Sequence, residues 1–311
     1  MQIIKTGLLC TFLGMLACTE TNPKTGKPLD TVVTGHLRIM ADEGYKPIIE
    51  TCIDVFDSIY RQATIEPIYT SEALAVNALL RDSIQVIVIS RKLTNEELEF
   101  FKKRGFTPPI TPIAHDAVAF VLHPSNQDTV LTIEQIRQML KGEVTNWNKI
   151  SAANKSGDIR LVFDNALSGT VRYCRDSIAG GAPLPANASA VNTNEEVIKY
   201  VSKYKGAIGI ISANWISDTD DKGVQRFLKE VQLVDVAPAA GEEGFGPYQA
   251  YLQLGKYPFR RTVYIINAQG RKGLGLGFAS FLAGSDGQRI ILKDGLLPAQ
   301  IPPRLVQIKK E

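Results

Sequence analysis

The chain has 311 residues, 44% of them hydrophobic and 22% charged, with a formal net charge of +3. The length suggests two lobes, and the composition is that of an ordinary globular protein. A charge so small, with no basic cluster interleaved with aromatics, argues against nucleic acid as a partner.

At the N-terminus Lys5 precedes an apolar run, Leu8 to Ala17, that ends at Cys18. The run is too short to span a bilayer and reads as a secretory signal. Met15-Leu-Ala-Cys18 has the form of a bacterial lipobox, in which the cysteine is lipidated and becomes the new N-terminus. Cleavage by the general signal peptidase near Ala17 is the alternative. Residues 1–18 are thus expected to be a lipoprotein signal peptide, and residues 19–34, polar with Pro and Gly, a tether. No later segment approaches the ~20 apolar residues of a membrane helix. Membrane attachment is therefore expected by lipid alone, in the periplasm or cell envelope. Cys10 leaves with the signal, and Cys52 and Cys174 fall on apolar sides of separate helical patterns, which predicts buried free thiols.

From Gly35 strands and helices alternate. The patterns predict strand Leu37–Ala41, helix Lys46–Tyr60, strand Ala63–Tyr69, helix Ser71–Arg81 and the continuous apolar strand Ile84–Ser90. A capping-box spacing, Thr94 to Glu97, opens another helix. Two strand-like runs, Thr107–Ala114 and Ala117–Leu122, then follow without a helix and mark the passage into a second lobe. There the predicted elements are helix Thr132–Lys141, strand Ile159–Phe163, helix Thr170–Ile178, helix Asn194–Lys203 and strand Ala207–Ser212. The Gly-, Pro- and Asp-rich stretch Ser217–Pro247 is expected to carry the return. Strand Tyr257–Ile266 and helices Gly273–Leu282 and Asp286–Leu292 complete the first lobe, with Gly273-Leu-Gly-Leu-Gly277 read as tight helix packing. The expected architecture is α/β in two lobes: 35–115 and 237–311 form the first, 116–236 the second, and a ligand cleft lies between them.

One stretch concentrates binding chemistry. Ser168-Gly169-Thr170 stands where strand Ile159–Phe163 gives way to a helix. The first N–H groups of a helix lack internal partners, its dipole favours negative charge there, and glycine permits close backbone approach. That is a place to hold an oxyanion, although Ser or Thr at such a position is usually just an N-cap. A nucleophilic role for Ser168 would need a base within reach. His36, His115 and His123 are not placed as triad partners, and no Gly-x-Ser-x-Gly elbow, metal spacing or dinucleotide fingerprint occurs. No cofactor and no catalysis are expected. Trp147 and Tyr173 read as packing residues, and at most one of Arg172 and Arg175 is expected near the anion.

Several motifs occur together: Gly35-His-Leu-Arg-Ile-Met-Ala-Asp-Glu-Gly-Tyr45, Val86-Ile-Val-Ile-Ser-Arg-Lys-Leu-Thr-Asn-Glu-Glu97, Ile113-Ala-His-Asp-Ala-Val-Ala-Phe120, the run Leu131 to Trp147, and Ser168-Gly-Thr-Val-Arg-Tyr173. In order and spacing they resemble the phosphate-binding proteins of ABC transporters, in the lipoprotein branch of Bacteroidetes-like bacteria. The resemblance implies a two-lobed type 2 periplasmic-binding-protein fold. It also implies a monomer that delivers inorganic phosphate to a permease in the inner membrane. By motif, Ser168, Gly169 and Thr170 would bind phosphate oxygens from the second lobe, and Gly44, Tyr45 and Ser71 from the first. Two positions depart from the family pattern: Asp164 stands where arginine is usual, and Ser90-Arg91 where Ser-Asp is usual. An exchange of charges would keep the balance, with Arg91 as cation and Asp164, Glu43 or Asp116 as acceptor of the phosphate proton. A surface lipoprotein that senses or binds another oxyanion without transport is the rival reading.

Overall fold

This computed structural model describes residues 30–303; the expected signal peptide, Cys18 and the tether through residue 29 lie outside them. Alternating apolar residues lay down β1 (Gly35–Asp42), with Leu37, Ile39 and Ala41 inward. A 3-10 turn, Glu43–Tyr45, leads into α1 (Lys46–Ile59), which buries Ile49, Cys52, Ile53 and Phe56. There follow β2 (Ala63–Thr70), α2 (Glu72–Leu80), β3 (Val86–Ile89) and α3 (Asn95–Lys102). The Thr94–Glu97 capping box forms as its spacing predicts.

The next strand departs from expectation. The two runs predicted around residue 115 are a single strand, β4 (Ile110–Leu122). Its first half pairs with one lobe and its second half with the other, so nothing interrupts the backbone at the crossing. The second lobe adds β5 (Val130–Thr132), α4 (Ile133–Lys141), β6 (Arg160–Phe163) and α5 (Gly169–Tyr173). One π-turn, Cys174–Ile178, extends α5 over the rest of the predicted helix. Then come β7 (Ala188–Ala190), α6 (Asn194–Val201) and β8 (Ala207–Ser212).

The stretch read as a return loop instead holds α7 (Lys222–Glu230), β9 (Gln232–Leu233) and β10 (Asp235–Ala237). α8 (Gln249–Gln253) follows, and Leu252, Tyr257 and Phe259 pack into the second-lobe core. The chain therefore returns at about Phe259, not at 237. Loop-forming residues around α7 masked the amphipathic face that buries Val224 and Phe227. β11 (Arg260–Asn267), α9 (Leu274–Ala283), α10 (Ser285–Lys293) and β12 (Leu297–Pro298) finish the first lobe. The glycine run in α9 packs tightly, as read: a Cβ on Gly275 would lie 2.7 Å from Val86 Cγ2.

One sheet runs through both lobes in the order β2-β1-β3-β11-β4-β8-β6-β7. β1 is parallel to β2 and β3, and β6 is parallel to β7 and β8. β4 pairs antiparallel with β11 over Ile110–Ala117 and with β8 over Val118–Leu122. Each lobe has its own core, built around Ile39, Phe56 and Phe278 in the first and Phe120, Trp147 and Phe163 in the second. Cys52 and Cys174 are buried free thiols. Trp147 is buried, with its indole N–H on Gly206 O at 3.0 Å.

Gly209 in β8 admits no side chain. A Cβ there would meet Val197 Cγ1, Val121 Cγ2 and Val201 Cγ2 at 2.7, 2.8 and 2.8 Å. Gly209→Ala is expected to cost ~1–3 kcal/mol through overpacking, measured as a lower urea midpoint at unchanged m-value.

Candidate functional site

The carboxyl ends of β1, β2, β3, β6 and β8 open on one cleft, where open α/β sheets bind their ligands. Asp42, the last residue of β1, is 1% exposed and lies at its centre. Its Oδ1 accepts the Gly44 N–H at 3.0 Å. Its Oδ2 accepts the N–H of Glu72 at 3.1 Å and of Gly169 at 2.8 Å. These donors come from three segments and both lobes. Each is an N–H at the start of a helical turn, without a helical acceptor of its own. Burial, and then the charge of Glu72, raise the Asp42 pKa; Arg261 and the N–H groups of Gly169 and Gly44 oppose the rise.

Glu72 forms the neighbouring wall. Its Oε2 accepts Ser90 N–H at 3.0 Å and Ser90 Oγ–H at 2.8 Å, and Arg172 Nε–H reaches its Oε1 from the opposite lobe at 2.5 Å. Burial works to raise the Glu72 pKa, but the hydrogen bond and charge of Arg172, with Ser90, hold it below the usual range. Arg261, 4% exposed on β11, donates to Asp116 Oδ2 at 2.9 Å and to Thr170 Oγ1 at 3.2 Å. Its guanidinium stands 5.4 Å from the Tyr45 ring centroid.

The jaws meet at Gly169. A Cβ there would lie 2.5 Å from Ser90 Oγ, 2.8 Å from Glu72 Oε2 and 3.2 Å from Asp42 Oδ2. Only glycine lets this backbone come so close. Further bonds join the lobes: Asn194 N–H and Nδ2–H donate to Glu43 Oε2 at 3.1 and 2.5 Å, and Asn214 Nδ2–H to Gly44 O at 3.1 Å. Three buried groups around the seat are not saturated: Ser71 Oγ, the Tyr45 hydroxyl and Arg261 Nη2 make no hydrogen bond. Arg261 Nη2 is 2.9 Å from Asp116 Oδ2, an ion-pair distance whose angle does not suit a hydrogen bond. A cavity of about 310 Å³ adjoins, lined by Ser71, Asp164, Ser168, Glu43, Lys46 and Thr193.

Of the residues expected from sequence, Gly44, Tyr45, Ser71, Ser90, Ser168, Gly169 and Thr170 come together here. Ser168 caps α5, accepting Val171 N–H at 3.2 Å, and donates to Asp164 Oδ1 at 2.7 Å. No imidazole joins them: His115 pairs with Thr262, His36 with Glu66 and His123 with Ser125. The expected charge exchange takes another form. Arg91 turns its fork to Glu97, with Nη1 and Nη2 at 2.7 and 2.8 Å, and approaches Glu72 only through Nε at 3.5 Å. The cations inside the cleft are Arg172 and Arg261, while Arg175 pairs outward with Asp176. Tyr173 donates to Arg260 O at 3.2 Å. Asp164 is fully buried, with its pKa pushed up to about 7 by burial and the charge of Asp42, against the Ser168 bond. Glu43 is raised to about 6 by burial, against its bonds to Asn194. Asp116 is occupied by Arg261, Ser212 Oγ at 2.9 Å and Asn214 N–H at 3.3 Å.

Sequence reading missed Asp42, Glu72 and Arg261. Asp42 fell just past the predicted strand Leu37–Ala41, and Glu72 in the first turn of the predicted helix Ser71–Arg81. Arg261 carried one signal, a charge that alternates with Val263 and Ile265 on the buried side of β11.

Two α/β lobes joined through one sheet, with backbone N–H groups from both meeting in the cleft, have the architecture of a solute-binding protein. The family model described as a PBP superfamily domain matches residues 25–286, and the chain belongs to that family. The chain is 23% identical over 284 residues to the phosphate-binding protein PstS of Pseudomonas aeruginosa, covering 86% of this chain and 84% of that protein. It is 22% identical over 259 residues to PstS of Borreliella burgdorferi, covering 81% and 85%. Among solved structures, a phosphate ABC transporter substrate-binding protein from Clostridium perfringens with bound phosphate superposes with a TM-score of 0.72 at 21% identity, covering 86% of this chain and 100% of that one. An ABC-type phosphate transport receptor from Vibrio cholerae gives 0.64 at 20% identity, with 85% and 100% covered.

Two outcomes follow from this geometry. Gly169→Ala is expected to wedge the lobes apart and weaken solute binding by about tenfold or more, ~1.4 kcal/mol, with little change in melting temperature. Folded Asp164 titrates near 7 against an ordinary 3.8, so the native state binds the extra proton between those values. Stability therefore falls as pH rises through that window. Asp164→Asn is expected to flatten the decline in chemical denaturation series across it.

Proposed function

We propose that the protein is an extracytoplasmic solute-binding protein that captures inorganic phosphate between its lobes and presents it to an ABC permease in the membrane. The chain acts as a monomer, held to the membrane by lipid on Cys18, and makes no change to its solute. One observation carries the reading: the N–H groups of Gly44, Glu72 and Gly169 converge from both lobes on a single anion seat. Around that seat Ser71 Oγ and the Tyr45 hydroxyl hold unspent hydrogen-bonding capacity, and Arg172 and Arg261 supply positive charge. The relatives named as phosphate-binding proteins support phosphate as the oxyanion. Among the described residues no helix is long and apolar enough to cross a membrane.

Closure works by differential affinity: the solute bridges groups from both lobes only when they are together, so binding shifts the population to the closed form. The carboxylates around the seat decide which oxyanion stays. Monohydrogen phosphate can donate its proton to such an acceptor, whereas sulfate has none to give. An ionised buried acceptor left unpaired costs ~1–3 kcal/mol or more.

Calorimetric titration of the chain lacking its signal peptide tests the reading. Phosphate is expected to bind at one site, with arsenate close behind and sulfate weaker by about tenfold or more. No heat and no thermal shift with phosphate, beside a response to another oxyanion, would reassign the solute.

A further inference from the structure

The anion seat already holds an anion. Both oxygens of Asp42 accept the N–H groups that an oxyanion would take, from Gly44, Glu72 and Gly169. Each N–H is a single donor, so a second anion cannot share it at full strength. We infer that Asp42 is a built-in competitor for the seat, and that phosphate binds by displacing its carboxylate; this rests on the phosphate reading above.

The geometry shows why the exchange can favour phosphate. A carboxylate is planar and has two oxygens, and here they satisfy three donors. Ser71 Oγ and the Tyr45 hydroxyl remain without hydrogen bonds around the same seat. A tetrahedral oxyanion has four oxygens spread in three dimensions and can serve both sets. Buried donors left unpaired are costly, so the ligand that satisfies the larger set wins; Asp42 takes up a proton as it leaves the N–H groups, so that no bare carboxylate stays buried. Asp42 can leave because it is held only by these N–H groups and by the surrounding charges. Glu72 cannot leave as readily, since Ser90 and Arg172 bind its carboxylate at 2.5–3.0 Å. Asp42 thus sets a threshold: solutes that offer only a planar carboxylate gain nothing over the resident one, while tetrahedral oxyanions do.

The test compares wild type with Asp42→Ser, which vacates the seat but keeps a short acceptor for Gly44. Asp42→Asn serves as an isosteric second variant should the first fold poorly. Asp176→Asn removes a charge just past α5, one that pairs outward with Arg175, without touching the seat. Phosphate is expected to bind Asp42→Ser about tenfold tighter or more than wild type, and Asp176→Asn no more than about threefold tighter. In phosphate-free buffer, the amide resonances of Gly44, Glu72 and Gly169 are expected to move in either Asp42 variant as their carboxylate acceptor is lost. Equal or weaker phosphate binding by Asp42→Ser overturns the inference, as does a gain matched by Asp176→Asn. If neither wild type nor variant binds phosphate, the phosphate reading fails. The amide resonances then still decide the occupant: moved, Asp42 holds the seat; unmoved, it does not.

Discussion

A buried carboxylate gripped by backbone N–H groups from three segments is the constraint on which the rest of the cleft depends. Taking the Asp42 charge out of water is expensive unless donors surround it. The donors available at the strand ends are N–H groups at helix starts, which are short of acceptors. Each deficit answers the other, and because the donors lie on both lobes, the lobes must stand close for either to be met. The glycine at 169 follows from this demand. With any side chain there, the Gly169 N–H could not reach Asp42 past Ser90 and Glu72.

The charges around that centre divide into tiers. Asp116 and Arg261 pair within the sheet, Glu72 and Arg172 pair across the cleft, and Arg91 and Glu97 close the outer edge. Buried pairs of this kind are weak contributors to net stability but costly to break singly. They fix position more than they add affinity. Asp42, Asp164 and Glu43 have raised pKa values and no arginine partner of their own, and they gather where the solute is expected; burial raises Asp116 as well, against its Arg261 partner.

Much of this was legible in the chain itself. The β1–α1, β2–α2 and β3–α3 units follow from apolar periodicity and from caps such as Thr94 with Glu97. The Ser168-Gly169-Thr170 turn reads as a place for an anion from its residues alone, and its Gly169 N–H meets the Asp42 carboxylate. What stayed hidden depends on long-range contact. Nothing local beyond the Gly44 N–H, two residues on as in any Asx turn, distinguishes Asp42 from another acid at a strand end; its other donors are 30 and 127 residues away at Glu72 and Gly169. Arg91 looked like the site cation because it follows a buried strand. The capping box just beyond it supplied Glu97 as a nearer partner, which short-range pattern could not weigh. The uninterrupted β4 was split in the reading because its burial changes partner lobes midway, not because the strand ends.

The same strand has a mechanical consequence. A chain that passes between two bodies through an unbroken β-strand has no swivel at the junction; relative rotation is taken up as twist along the ribbon. The junction lies near Asp116, which stands opposite Arg261 in the β4–β11 register, and Arg261 in turn holds Thr170 beside the closing jaw. The guanidinium is therefore at once a rung of the torsion element and a lever arm on the seat. Opening angle and anion affinity are not independent variables in this molecule: a twist of the ribbon moves the charge that the solute meets.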